Sequence, residues 1–417
     1  MKRTLFPIFS LFSLFALQAA DSNGFYLTDG DRVVFYGDSI TEQREYTARV
    51  EEFVLSRFPS WNVSFVHAGV GGDTVRGGWA GEIDERLTRD VIAFKPTVVT
   101  IMLGMNDGGY KAFDVPTFEA YRSGYRHILD RLTKEVPGVR LTLIQPSPYD
   151  DVTRPETFAG GYNAVMRKYA ELVQSLAGEY HATVVDFNSA VVRGLERVFV
   201  ANAQLARQIL PDRVHPAPPG HWLMAEALLR AWHAPALVSA VELDASGRVV
   251  KADHATVTAL AAAPSGLTWT QQDASLPLPQ SFTDATMELV RAAGGTIDAL
   301  DEEMLTVRGL AAGRYRVRVD DDLLTPVFSE VELANGVNLA MHDTPMVWQA
   351  MGVRWSGQEK NAVHESWMRA QVRAKTLPAT GSLTHDLEAL ESALDQERVA
   401  PRQPKPHRMA IVPDAAH

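Results

Sequence analysis

The sequence contains no cysteine among its 417 residues. Disulfide bridges, thiolate nucleophiles, Cys-ligated zinc and iron–sulfur clusters are therefore excluded. Basic charge is also scarce, because 40 Lys and Arg residues face 51 Asp and Glu residues and leave a formal net charge of −11. Nucleic acid and anionic lipid both require a basic face on their partner, so this balance argues against either one.

Long apolar runs are almost absent as well. The one long run, residues 5–17, follows Lys2 and Arg3 and precedes Ala19 and Ala20, which is the layout of a secretory signal peptide. The run is shorter than the ~20 residues that a transmembrane helix needs. We therefore predict cleavage near Ala20, export to the periplasm or the exterior, and no stable membrane insertion; the alternative is an uncleaved anchor.

Between residues 31 and 235, short β-branched segments alternate with longer amphipathic ones. Nearly all residues of the short segments are apolar, as expected of strands buried on both faces. The predicted strands are 32–36, 62–67, 97–103, 141–145 and 183–187, and the predicted helices are 41–58, 81–93, 117–135, 158–179 and 220–232. This alternation predicts an α/β fold, a three-layer α/β/α sandwich with a five-stranded parallel sheet.

The pattern changes after residue 235. Residues 314–319 alternate strictly between Arg and apolar side chains, which predicts half-exposed antiparallel β structure. Further along, apolar residues at helical spacing predict helices that pack on the core. The predicted segments are a signal peptide at 1–20, an α/β domain at 21–235, a β-rich accessory region at 236–345, a helical extension at 346–399 and a proline-rich mobile tail at 400–417.

Polar and glycine residues collect after the predicted strands, directly for the first three motifs below and at some distance for the fourth. The motifs are Gly-Asp-Ser at 37–39, Gly-Gly-Asp at 71–73, Gly-Met-Asn-Asp at 104–107 and Asp-Arg-Val-His at 212–215. Open parallel sheets bind ligands beyond the carboxyl ends of their strands, so we expect these four segments to converge. Each motif alone is typical of a turn or a helix cap. Their joint occurrence in this order favours a functional site.

Ser39, Asp212 and His215 have the chemistry of acyl transfer. A serine hydroxyl becomes a good nucleophile when a base removes its proton, and His215 can be that base. Asp212 can accept a hydrogen bond from the other ring nitrogen and so fix the tautomer. The resulting oxyanion needs donors, for which the backbone N–H groups of Ser39 and Gly72 and the amide of Asn106 are candidates. We predict no metal and no organic cofactor.

Two alternatives concern neighbouring titratable residues. His221 could compete for the role of base, but it has no Asp three residues before it. Asp38, Asp73 and Asp107 could hold Mg²⁺ in a phosphoryl-transfer protein of similar fold. Because a serine and an Asp/His pair accompany them, we expect these aspartates to cap helices and tie loops together.

The four motifs resemble the sequence blocks of the SGNH hydrolase superfamily, also called GDSL-type esterases and lipases. The resemblance covers residues 31–235 and implies a flavodoxin-like fold. It also implies that Ser39 is the nucleophile, that Asp212 and His215 complete the triad, and that Gly72 and Asn106 are oxyanion donors.

This sequence departs from the superfamily pattern at three positions. Ile40 stands where Leu is usual, His67 where Asn is frequent, and Arg213 where Gly is frequent. None of these replaces an atom of the predicted triad, although Arg213 is expected to add charge at the mouth of the site.

The predicted function is that of an exported serine esterase acting on a small-molecule or polysaccharide ester through an acyl-enzyme. Trp79, Tyr110 and Tyr149 follow successive predicted strands and, with Asp38, are candidate substrate contacts. Because aromatic faces suit sugar rings, we favour removal of O-acetyl groups from carbohydrate. The alternatives are a lipase or broad carboxylesterase with the same triad, and a non-catalytic carbohydrate-binding module on the same fold.

Overall fold

The computed structural model describes residues 24–263, 266–282, 284–374, 377 and 380–414. The predicted signal peptide at 1–20 lies outside these residues. The first strands are β1 (Arg32–Gly37), β2 (Ser64–Gly69), β3 (Gly77–Gly78), β4 (Gly81–Glu82), β5 (Val98–Met102), β6 (Arg140–Gln145) and β7 (Thr183–Asp186). The first helices are α1 (Ser39–Glu42), α2 (Glu45–Arg57), α3 (Ile83–Asp90), α4 (Val115–Glu135), α5 (Gly161–Glu179), α6 (Phe187–Ala201), α7 (Ala203–Ala206) and α8 (Pro218–Ala231).

The parallel sheet has the strand order β2-β1-β5-β6-β7, which confirms the predicted α/β fold. This is the flavodoxin-like order, whose ligand crevice lies where the order reverses, between β1 and β5. Gly37 at the end of β1 pairs in register with Gly69 of β2 and with Met102 of β5. The carboxyl ends of these three strands are therefore level, and the loops that follow them meet at one edge.

Strand β1 shows why the sheet is buried on both faces. Val33 and Phe35 pack into the core on one side, and Val34 and Tyr36 pack into the core on the other. All four side chains are at most 1% exposed. Each face of the sheet therefore needs a layer of helices to cover it, which gives the three-layer arrangement.

The helices differ from the predicted ones in two places. The helix predicted at 41–58 starts earlier, at Ser39, and is divided because Arg44 takes up a left-handed conformation with φ 57°. Helices α6 and α7 were not predicted, because no helix was assigned between the strand predicted at 183–187 and the helix predicted at 220–232. Asp186 ends strand β7 and caps helix α6, its side chain accepting a hydrogen bond from the N–H of Ser189.

The described residues after 236 form further sheets and helices. The strands are β8 (Leu237–Asp244), β9 (Arg248–Asp253), β10 (Ala255–Ala263), β11 (Gly266–Asp273), β12 (Glu302–Arg308), β13 (Arg314–Val319), β14 (Asp322–Leu323), β15 (Phe328–Ser329), β16 (Val337–Asn338) and β17 (His407–Pro413). The helices are α9 (Ala285–Ala292), α10 (Glu330–Asn335), α11 (Pro345–Arg373) and α12 (Thr380–Glu397).

One sheet has the order β10-β11-β17-β13-β14, with β15 also paired to β13, and the other has the order β16-β12-β8-β9. The first is antiparallel, as predicted, while the second also contains the parallel pair β8 and β12. Buried apolar side chains from both sheets form a common core.

The prediction of a mobile tail at 400–417 is wrong for residues 407–413, which form strand β17 between β11 and β13. Met409 and Ile411 of this strand are buried in the core of the sheets. Three of the four prolines after residue 400 precede the strand and the fourth ends it, so none of them interrupts its hydrogen bonds.

Helices α11 and α12 form an antiparallel hairpin that packs on α2 through buried charges. Arg398 pairs with Glu51 at 2.6 Å, and the other oxygen of Glu51 lies 2.8 Å from Nε2 of His67. Burial raises the pKa of Glu51, but Arg398 and His67 oppose this effect and hold it well below its usual value. Through Glu51, the buried His67 ring is therefore connected to Arg398, which directly follows helix α12. No helix among the described residues is both long and apolar enough to cross a membrane.

Candidate active site

Ser39 lies at the turn between β1 and α1, at the edge where the strand order reverses. Asp38 caps the helix, since its Oδ1 accepts a hydrogen bond of 3.0 Å from the N–H of Ile40. The first N–H groups of a helix have no acceptor within the helix. The N–H of Ser39 is therefore free to act as a donor beside its own hydroxyl.

Asp212 and His215 reach Ser39 from the loop between α7 and α8. Nε2 of His215 lies 2.8 Å from Oγ of Ser39, and Nδ1 lies 2.7 Å from Oδ2 of Asp212. Oδ1 of Asp212 accepts hydrogen bonds from the N–H groups of Val214 and His215, at 3.0 and 2.7 Å. The structure thus brings together the three residues predicted as a triad, in a hydrogen-bonded row.

The electrostatics of this row favour an ionised Asp212. Partial burial raises the pKa of its carboxyl, but the hydrogen bonds from His215 and Val214 outweigh that effect and leave the pKa below its usual value. His221, the alternative base, is bonded to Oε1 of Gln43 at 3.2 Å instead. Burial lowers the pKa of His221 to about 3, so this ring is neutral at physiological pH.

The loop after β2 lies against Ser39. A β-carbon built on Gly71 would be 3.8 Å from Cβ of Ser39. Gly72 has a φ of +78°, which favours glycine, and a β-carbon there would meet open space. Nδ2 of Asn106 donates a hydrogen bond of 3.0 Å to the backbone oxygen of Asp73 and keeps a second amide hydrogen. The 71–73 loop therefore lies against Ser39 through Gly71 and is bonded to Asn106 through Asp73.

The three predicted aromatic contacts are tied to this region. Trp79 is 58% exposed, and its Nε1 donates to the backbone oxygen of Gly71 at 2.9 Å. The hydroxyl of Tyr110, whose side chain is also exposed, donates to Oδ1 of Asn106 at 3.1 Å. The Tyr149 ring lies 6.3 Å from the ring of Tyr110. Aromatic faces thus border the predicted oxyanion side of Ser39.

Tyr162, which no sequence motif indicated, packs against the rings of Tyr110 and Tyr149. Its ring lies 5.1 Å from that of Tyr110 and 5.4 Å from that of Tyr149, and its hydroxyl donates to the backbone of Met105. Tyr162 stands in helix α5, away from every motif, so only the tertiary fold reveals this role.

Arg213 is paired rather than free at the mouth of the site. It occupies the left-handed region, with φ 78°, at the position where the superfamily often has glycine. Its guanidinium lies 5.5 Å from the Tyr149 ring, donates to the backbone of Pro155 and lies 3.6 Å from a carboxylate oxygen of Asp151. The expected extra charge is therefore largely balanced by Asp151.

Asp38, Asp73 and Asp107 form an acidic group beneath the nucleophile turn. Burial raises the pKa of Asp38 and of Asp107 to about 7, and that of Asp73 to about 6. Asp38 is only 2% exposed, so the prediction that it contacts substrate is wrong; it caps α1 instead. Within the described ranges, no three His, Asp or Glu side chains are grouped so as to hold a metal ion.

These raised pKa values predict a dependence of stability on pH. Between about pH 4 and pH 7 the folded protein binds more protons at these carboxyls than the unfolded chain does, so their contribution to stability falls as pH rises. We expect the melting temperature of the Asp107→Asn variant to fall less between pH 5 and pH 8 than that of wild type. The variant keeps a side-chain oxygen that can accept the hydrogen bond from the N–H of Val75. Calorimetry at both pH values measures this difference.

Asp244→Asn is the matched control for this experiment. Asp244 is the last residue of β8, and its hydrogen bonds with Ser246 lower its pKa instead of raising it. This variant should keep the wild-type difference between the two melting temperatures. An Asp107→Asn variant with that same difference would contradict the assignment.

Comparison with known proteins agrees with this geometry. The model of the GDSL-like lipase/acylhydrolase family matches residues 35–223, a range that includes the Ser39, loop 71–73, Asn106 and Asp212–His215 segments. An acetylxylan esterase from Geobacillus stearothermophilus is 28% identical over 220 residues, covering 48% of this chain and 93% of that protein.

The second part of the chain also has a structural counterpart. The structure of a gut microbial diltiazem-metabolizing enzyme superposes with a TM-score of 0.81 at 20% identity, over 93% of this chain and 98% of that one. This likeness shows a shared fold that extends beyond the matched domain. Residues 35–223 thus match the GDSL-like lipase/acylhydrolase family, which identifies this part of the chain as an SGNH-type ester hydrolase domain.

Proposed function

We propose that this protein is an exported serine esterase that removes O-acetyl groups from carbohydrate through an acyl-enzyme on Ser39. The observation that carries the proposal is the row of hydrogen bonds from Oγ of Ser39 through His215 to Asp212, at 2.8 and 2.7 Å. Its position at the crevice of the sheet, at the start of helix α1, supports a reacting serine rather than a structural one.

In the first half of the reaction, Nε2 of His215 takes the proton of Ser39 while Oγ bonds to the ester carbonyl carbon. The negative charge that moves onto the carbonyl oxygen is stabilised by the N–H groups of Ser39 and Gly72 and by the free amide hydrogen of Asn106. When the intermediate collapses, the bond to the sugar oxygen breaks and His215 returns the proton to that oxygen.

In the second half, His215 takes a proton from water, whose oxygen attacks the acetyl carbon. Collapse of this second intermediate breaks the bond to Oγ and releases acetate, and the proton returns to Ser39. Asp212 stays ionised throughout, since its role is to fix the ring and to stabilise the imidazolium.

Two observations support a carbohydrate ester as the substrate. The rim beside Asn106 presents the exposed rings of Trp79 and Tyr110 together with Tyr149, and such faces can stack on sugar rings. The acetylxylan esterase of G. stearothermophilus is also similar to this chain, over 93% of the length of that esterase. Export is supported by the layout of residues 1–20.

A chain-length series of p-nitrophenyl esters tests the proposal against the lipase alternative. We expect kcat/KM for acetate to exceed that for octanoate by about tenfold or more, because a short acyl group needs no extended apolar channel. Acetate release from acetylated xylan, measured in parallel, should be readily detected. A preference for octanoate over acetate would instead identify a lipase or a broad carboxylesterase.

A Trp79→Ala variant separates recognition of the sugar from the chemistry. With an acetylated xylo-oligosaccharide the variant should show a raised KM, whereas its kinetics with p-nitrophenyl acetate should change little. If both substrates were affected equally, the indole would be acting on the loop through Gly71 rather than on a sugar.

A further inference from the structure

Trp367 and Met368 of helix α11 are buried against the loop that carries Gly72. They form a compact apolar cluster with Val70 and Ala80, and all four side chains are at most 7% exposed. Val70 directly precedes the two glycines of the loop, and Ala80 directly follows Trp79. The hairpin therefore holds both ends of the segment that lines one side of Ser39.

The indole of Trp367 is fixed in this position from several sides. Its ring stacks on the His364 ring at 5.3 Å and meets the edge of the Phe94 ring at 5.6 Å. Its Nε1 donates a hydrogen bond of 2.8 Å to Glu388 of helix α12. These contacts restrict rotation of the indole, so Val70 and Ala80 pack against a side chain with a fixed orientation.

Charged side chains of the same helix reach the turn that carries the nucleophile. Glu365 pairs with Arg44 at 3.0 Å and with Arg369 at 2.9 Å. Arg369 in turn lies 3.9 Å from Glu42, the last residue of α1. An oxygen of Glu42 comes within 2.8 Å of where a β-carbon on Gly71 would stand. One helix thus contacts both the loop and the turn.

Hydrogen bonds also hold the loop, among them those from Trp79 to the backbone oxygen of Gly71 and from Asn106 to that of Asp73. The N–H of Val70 bonds to the backbone of Gly37 at 3.0 Å, and the N–H of Asp73 bonds back to Val70 at 3.2 Å. Both bonds are made by residues that flank the two glycines. Val70, where the loop begins, is therefore placed both by its bond to Gly37 and by its packing on Trp367 and Met368, so a change in that packing would shift the start of the loop that carries Gly72.

We propose that the α11–α12 hairpin is a positioning element of the active site, with Trp367 and Met368 orienting the Gly72 N–H towards the oxyanion. This inference rests on the proposed function, since it needs Gly72 to be an oxyanion donor. It gives part of the chain beyond residues 35–223 a defined role in turnover.

The test is the Trp367→Ala variant, assayed with p-nitrophenyl acetate below its melting temperature. We expect kcat to fall about 10- to 100-fold, with KM changed less than about threefold, because a displaced oxyanion donor weakens binding of the transition state but not of the ester. Labelling by a fluorophosphonate should slow in parallel, since its phosphonyl oxygen takes the place of the oxyanion. Trp367→Phe, which refills the cluster, should restore most of kcat.

Val353→Ala is the matched control on the same helix. Val353 is fully buried, but it packs into the main core rather than against the loop. This variant should lose thermal stability and keep kcat within about threefold of wild type, as uncoupled sites do. If Trp367→Ala does not fold, Met368→Ala removes less volume from the same cluster and takes its place in the test.

Two results would overturn the inference. One is an equal loss of kcat in the Val353 and Trp367 variants, which would reveal general destabilisation. The other is a Trp367 variant with unchanged kcat or with a loss confined to KM. Failure of the proposed function itself would look different, because wild type would then neither hydrolyse the ester nor react with the fluorophosphonate.

Discussion

Replacing Ser39 by Ala should abolish ester hydrolysis, leaving less than about one thousandth of the wild-type kcat, because the oxyanion donors alone supply only a small part of catalysis. The fold should survive, since the change removes one hydroxyl whose hydrogen bond to His215 contributes about 1 kcal/mol. Turnover of p-nitrophenyl acetate, melting followed by circular dichroism and mass spectrometry after fluorophosphonate treatment together measure this result.

Ser147→Ala is the control for the Ser39 variant. Ser147 follows β6 at the same edge of the sheet, but its side chain is only 1% exposed and cannot reach a substrate. This variant should keep both turnover and labelling. If Ser39→Ala still turned over or was still labelled, another nucleophile would be at work, and a folded but unreactive wild type would indicate the non-catalytic binding module.

Asp212→Asn should lower kcat by about 10³- to 10⁴-fold, because the variant forces the wrong tautomer on His215. Oδ1 of Asp212 accepts hydrogen bonds from two backbone N–H groups, so the amide oxygen of an Asn must stand there. Its NH₂ group then faces Nδ1 of His215, which must accept a hydrogen bond instead of donating one. The proton moves to Nε2, where it prevents the ring from accepting the proton of Ser39.

The tautomer of His215 in the Asp212→Asn variant can be observed directly. Proton NMR of the imidazole N–H groups should show the proton on Nε2 in the variant and on Nδ1 in wild type at neutral pH. Asp244→Asn, which removes a carboxylate outside the site, should keep wild-type kcat. If Asp212→Asn lost less than about tenfold in kcat, the carboxylate would not be fixing the tautomer.

The sheet and the triad could be predicted from sequence because their signals are local. A strand buried on both faces is apolar almost throughout, as in β5. Its position can therefore be predicted from its own residues, without knowing which strands lie beside it. Parallel connectivity then sends every strand end to the same edge. That geometry brings together the loops that carry Ser39, Gly72 and Asn106. His215, 176 residues from Ser39 in the sequence, reaches the same region from the loop between α7 and α8.

The remaining features depend on contacts between distant parts of the chain. Trp348 and Trp355 have the helical spacing predicted for core packing, but they are 55% and 49% exposed, whereas Trp367 is buried. Spacing places a side chain on a face of the helix and does not reveal what covers that face. Asp38 was misassigned for a related reason, because nothing in the motif shows that the loops of Asp73 and Asp107 bury it.

The position of β17 also has a consequence for how the protein is made. The neighbours of this strand, β11 and β13, are joined only through it, and it is the last of them to leave the ribosome. Until residues 407–413 arrive, both neighbours present an open edge that another nascent chain can pair with. Docking of β17 is therefore the step that closes this sheet, and a chain in which that step is delayed exposes two strand edges to aggregation.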